Sequence, residues 1–75
     1  MTGKITVEEY LNNKGELHRN ETIYDSKGDF YGRFNVYNLE NFSDIWVTRF
    51  DGVQVNCKRH EIMVEIEYTP IYIAL

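Results

Sequence analysis

The chain has 75 residues and a formal net charge of −4, which makes one small domain that buries only about 60% of the surface its unfolded form exposes. A single cysteine, Cys57, excludes an intrachain disulfide, and no apolar run approaches the roughly 18 residues of a membrane span. The acidity argues against binding nucleic acid through the whole surface, but it leaves room for a local basic site.

Met1-Thr2-Gly3-Lys4 leads into mixed polar sequence rather than an apolar signal segment, so a cytoplasmic location is expected. On that reading the glycosylation patterns Asn20-Glu21-Thr22 and Asn41-Phe42-Ser43 are chance matches. Further along, Thr6-Val7-Glu8-Glu9 has the form of a capping box, with Ile5 and Tyr10 at staple positions and Gly15 as a left-handed stop. These signals predict a short helix over about 6–14, although Ile5, Val7 and Leu11 also fit the period of a strand.

The middle reads as hairpins. Glu21 to Tyr24 is strand-like, and Asp25-Ser26-Lys27-Gly28-Asp29 is a turn. Phe30 to Tyr37 alternates, with Phe30, Phe34 and Val36 on one face and Tyr31, Arg33 and Tyr37 on the other. Gly32 falls on the Phe30 face, where a missing side chain permits a bend or a close backbone approach. After a loop over 38–44, Ile45 to Phe50 is a strand, and Asp51-Gly52 turns tightly into Val53 to Cys57. Lys58 to Glu61 connects to the clearest strand of all, in which Ile62, Val64 and Ile66 oppose Met63, Glu65 and Glu67. The sum is a mostly β domain: a short N-terminal helix, then a five-stranded, strongly bent small barrel of the SH3 or OB type over about 20–68. The apolar tail 69–75, with Pro70 as a strand stop, is expected to dock on the core or to meet a second subunit.

The order of elements resembles the Sm-like family, and within it the bacterial Hfq group. Phe30 to Asn38 is similar to the first Sm motif, with its glycine in a bent strand and an acidic or amide residue at the close. Lys58-Arg59-His60-Glu61-Ile62 is similar to the second Hfq motif, which enters the last strand. The chain departs from that motif where Lys58 replaces an aromatic and Arg59 a lysine, and Asn38 takes a place usually held by aspartate. The resemblance implies a homo-oligomeric ring in which the last two strands of adjacent subunits pair edge to edge. It also implies single-stranded RNA at the inner rim, with Lys58, Arg59, His60 and Asn38 as contacts and Tyr37 or Phe42 as a stacking surface. A ring would multiply one Lys-Arg-His triplet into a basic band, which reconciles local binding with an acidic chain.

The blander reading of Lys58 to His60 is a solvated turn between strands. Cys57 and His60 form a C-x-x-H, but a zinc site needs about four ligands and only His18 remains to help, so no metal or other cofactor is expected. Cys57 reads as a small buried hydrophobe, and Glu65 and Glu67 as solvated carboxylates rather than an acid/base pair. With no phosphate-cradling glycine loop and no Ser/His/Asp set, the chain reads as a non-enzyme. Tyr31, Tyr37 and Trp46 are more aromatics than one barrel buries, and surplus rings beside Arg33 and Arg49 suit an interface with protein or RNA. Two functions follow as expectations. One is an Sm-like ring that binds RNA as a regulator or chaperone. The other is a small acidic β-domain acting through a protein partner, such as a regulator or inhibitor from a phage or mobile element.

Overall fold

A computed structural model of the chain describes residues 2–40 and 44–67. The elements run β1 (Thr2–Thr6), α1 (Val7–Asn12), β2 (Thr22–Asp25), β3 (Phe30–Tyr37), β4 (Asp44–Arg49), β5 (Gln54–Lys58) and β6 (Ile62–Glu67). Every strand pair is antiparallel, and the sheet has the order β1-β6-β2-β3-β4-β5. The mostly β class with one short N-terminal helix therefore holds. The five-stranded barrel does not, because the described residues form an open six-stranded sheet in which no pairing among them joins the edges, β1 and β5.

The extra strand lies just before the helix. β1 runs along β6 from Thr2↔Glu67 to Thr6↔Met63. Thr6 serves both elements, since its extended backbone (φ −64, ψ 150) ends β1 while its side chain caps α1. An N-cap residue normally has β-region dihedrals, so a strand can run directly into a capping box. The Thr6 hydroxyl accepts from the Glu9 N–H at 3.1 Å, as the sequence predicts. The helix stops one residue differently. Lys14, not Gly15, takes the left-handed conformation, at φ 67. The Lys14 N–H donates to the Leu11 carbonyl and the Gly15 N–H to the Tyr10 carbonyl, at 3.1 and 2.8 Å, which is the Schellman pattern. Val7 is fully buried, and the Glu8 N–H donates to the Arg59 carbonyl at 3.1 Å, so α1 is fastened to the β5–β6 turn.

Both hairpin turns match their sequence signals. Asp25 Oδ1 accepts from the N–H groups of Lys27 and Asp29, with Gly28 at φ 87. Between β4 and β5, Phe50-Asp51-Gly52 forms a three-residue loop with Gly52 at φ 85, the geometry in which a left-handed glycine completes the turn. The expected alternation of β3 fails, and two bulges explain it. Tyr31 is the extra residue opposite β2, and Asn35 the extra residue opposite β4. A bulge re-aims the side chains beyond it, so Tyr31 and Tyr37 pack against the core while Phe30 and Val36 are exposed. Gly32 keeps its predicted role, since a Cβ there would stand 2.5 Å from the Thr48 carbonyl oxygen.

One core gathers side chains from α1 and β2–β6, with Val7, Ile23, Ile45, Val47 and Val64 fully enclosed. Along β6 the predicted period holds: Ile62 and Val64 are buried, Glu65 and Glu67 exposed. The tail 69–75 and Pro70 lie outside the described residues. No helix of the described residues is long and apolar enough to cross a membrane.

Candidate functional site

Lys58, Arg59 and His60 lie at the exit of β5, where the Glu61 N–H closes a turn on the Lys58 carbonyl at 3.0 Å. Lys58 and His60 are exposed and Arg59 is half-buried. The His60 imidazole Nε2 is 3.6 Å from Glu61 Oε1, so the triplet carries its own counter-charge. Asn38 sits at the same end of the sheet. Its N–H donates to the carbonyl of Asp44, the register partner of Lys58. The Asn38 side-chain amide donates to Asn56 Oδ1 at 3.0 Å, and Asn56 donates on to buried Asp44 at 2.8 Å. Asn38 Oδ1 accepts from the Glu40 N–H at 2.9 Å, which commits the side chain to local structure. Tyr37 is likewise committed: its hydroxyl accepts from the Leu17 N–H at 3.0 Å, and its ring meets Phe34 edge-on at 4.9 Å. Its ring packs against the core while the residue stays partly exposed. Phe42 lies outside the described residues.

The opposite end of β5 carries a different constellation. Arg19, Arg33 and Arg49 line a groove of about 300 Å³ together with Phe30 and Phe50. Its rings face water, Phe50 being 81% and Phe30 50% exposed. The Arg33 guanidinium lies 5.9 Å from the Phe30 ring centre, and Arg49 lies 6.0 Å from that of Phe50, within the range of cation–π attraction. Arg33 is also held by a donation to the Asn20 carbonyl at 3.2 Å, and Arg49 by Asp51 at 3.3 Å. Asn35 and Gln54, joined at 2.9 Å, line the groove with Thr48 and keep a carbonyl and an NH₂ on offer. The sequence pairs Arg33 and Arg49 with neighbouring aromatics. The contribution of Arg19, and the outward turn of Phe30, depend on the loop before β2 and on the β3 bulge.

A second cleft, of about 500 Å³, opens where the sheet fails to close, between β5 and the corner formed by β2 and β6. Tyr31, Cys57 and Ile62 form its apolar wall, and Asp25, His60 and Glu61 stand at its rim. Burial pushes the Cys57 thiol up; a hydrogen bond with Tyr31 pulls it partly back, while Glu61 and Asp44 push it further. Burial raises the Tyr31 phenol too, reinforced by Cys57. A thiol held protonated is a poor nucleophile, so this geometry supports packing rather than covalent chemistry. Among the described residues no cluster of His, Cys, Asp and Glu has the arrangement of a metal site.

The sheet order bears on how copies could assemble. β6 has β1 on one side and β2 on the other, so a ring built by pairing β5 of one subunit with β6 of the next would have to displace β1. No protein-family model, curated protein or solved structure matches the chain.

Proposed function

We propose that the protein is a non-catalytic binder of single-stranded RNA, and that the groove of Arg19, Arg33 and Arg49 is its contact surface. One observation carries this reading: three arginines and two exposed phenylalanines line a single groove. Single strands are held by cations that follow the phosphates and by rings on which bases stack, with stacking worth about 1–3 kcal/mol per base. The groove supplies both on a chain of net charge −4, so binding through a local cationic face is favoured over binding through the whole surface. Lys58 and His60, the contacts implied by the Sm-like resemblance, form a rival site at the other end of β5.

The test is fluorescence anisotropy of labelled oligouridine and oligoadenosine strands at low salt. The double variant Arg33→Ala, Arg49→Ala should weaken binding at least about tenfold, and Phe50→Ala by about five- to tenfold, while Lys58→Ala with His60→Ala changes it little. Circular dichroism of each variant checks that the fold survives. Absence of wild-type binding to either strand overturns the proposal.

A further inference from the structure

We propose that the open edge of β5, with the cleft beside it, accepts an extended segment of another protein as a seventh strand. This surface meets the arginine groove at Gln54 but differs from it in what it uses, the free backbone edge and inner side of β5 rather than the arginines and phenyl rings.

The register shows which backbone groups are on offer. The Arg49 N–H donates to the Val53 carbonyl at 2.8 Å, and the pairs Val47↔Val55 and Ile45↔Cys57 continue that two-residue period. In an antiparallel ladder the intervening residues point their N–H and C=O groups away from the partner strand. Gln54 and Asn56 therefore present theirs outward, and no strand among the described residues covers them. Lys58 is different, since its carbonyl already accepts from Glu61. An added strand gains main-chain hydrogen bonds from such an edge, and pockets for its alternate side chains give it specificity. The 500 Å³ cleft supplies the pocket.

The lining of the cleft sets the chemistry of the occupant. Tyr31, Cys57 and Ile62 suit an apolar side chain, while Asp25 and Glu61 at the rim place carboxylates where a cationic side chain would follow. Asp25 Oδ1 accepts from two backbone N–H groups, so the carboxylate is held in place at the cleft by the β2–β3 turn. The net charge of −4 favours a basic partner at long range as well. The fitting segment thus carries an apolar residue and, two positions on, a lysine or arginine on the same face.

The probe is the peptide Gly-Thr-Val-Thr-Lys-Thr-Val-Thr-Lys-Thr-Gly, with Val and Lys sharing one face of a strand. Its control, Gly-Thr-Thr-Val-Lys-Thr-Thr-Val-Lys-Thr-Gly, has the same composition but puts Val and Lys on opposite faces. Amide hydrogen exchange is followed by NMR on the whole chain. The probe should slow exchange at Gln54 and Asn56 by about tenfold or more, above any slowing at Val55 and Cys57, which the β4 ladder already protects. The control should do so far less. Gln54→Pro removes one outward N–H and leaves the β4 ladder intact, as proline is tolerated on an edge; it should weaken the probe by about tenfold, the worth of one such bond. Equal binding of the two peptides, or unprotected Gln54 and Asn56 at saturation, overturns the proposal. So does prior protection of these amides together with a mass that rises with concentration, because a second copy would then own the edge.

Discussion

Gly15 and Gly32 are glycines for want of space, and neither uses a left-handed backbone. A Cβ on Gly15 would lie 2.6 Å from the Tyr10 carbonyl and 2.7 Å from its ring. On Gly32 it would lie 2.5 Å from the Thr48 carbonyl and 2.8 Å from a Val47 methyl. The Thr48 carbonyl belongs to the β3–β4 ladder and cannot swing aside, so Gly32→Ala should cost about 2–3 kcal/mol, read as a lower urea midpoint. Lys14 is the converse case, a side chain in a left-handed site at φ 67. Lys14→Gly should raise stability by about 1 kcal/mol, because glycine takes that conformation without the Cβ penalty. Cys57 gives stability a pH dependence. Burial raises its thiol in the folded state, so the native chain keeps a proton that the unfolded chain releases. The thiol's contribution is fully present below its ordinary range, about pH 8.5, and is lost as pH rises through the raised value. Cys57→Ala should remove the first part of the alkaline fall in urea midpoint. The part due to the Tyr31 phenol, which is also raised, should remain at higher pH.

At the scale of elements, local signals were legible and pairings were not. The period of β6, the Thr6 cap and both glycine turns are set by neighbours in sequence, and each appears where its residues predict it. β1 was hidden because Gly3-Lys4-Ile5 has no strong period of its own; it is a strand by virtue of β6, its partner some sixty residues on. The β3 bulges were hidden for a related reason. Nothing in Phe30 to Tyr37 marks Tyr31 and Asn35 as extra, and only the registers of β2 and β4 make them so. The arginine groove inherits that opacity, since it draws on the loop before β2, on β3, and on the β4–β5 hairpin. β1 also has a consequence for assembly. It covers the outer edge of β6 with five register pairs, and bare edges recruit other strands. A chain lacking Thr2–Ile5 exposes a second edge and should self-associate more strongly, with a light-scattering mass that rises more steeply with concentration than the full chain's.

Charge is unevenly spread over the whole molecule. Glu8 and Glu9 of α1 and Glu65 and Glu67 of β6 are exposed at the β1–β6 end of the sheet. Arg19, Arg33 and Arg49 gather at the β3–β4 end. The net charge of −4 therefore does not describe the field at the groove. Three arginines on three phosphates of a single strand should give log K a slope of about −2 against log salt, at roughly −0.7 per phosphate. The double variant Arg33→Ala, Arg49→Ala should bring that slope to about −0.7. Trp46, the only tryptophan, reports the event without a label. It alternates with buried Ile45 and Val47 and so shares the outer face of β4 with Thr48 of the groove wall. Its fluorescence should fall as bases stack nearby, and the titration at several salt concentrations yields the slope. A slope unmoved by the double substitution would shift the contact to Lys58 and His60, which the same measurement on Lys58→Ala, His60→Ala would then detect.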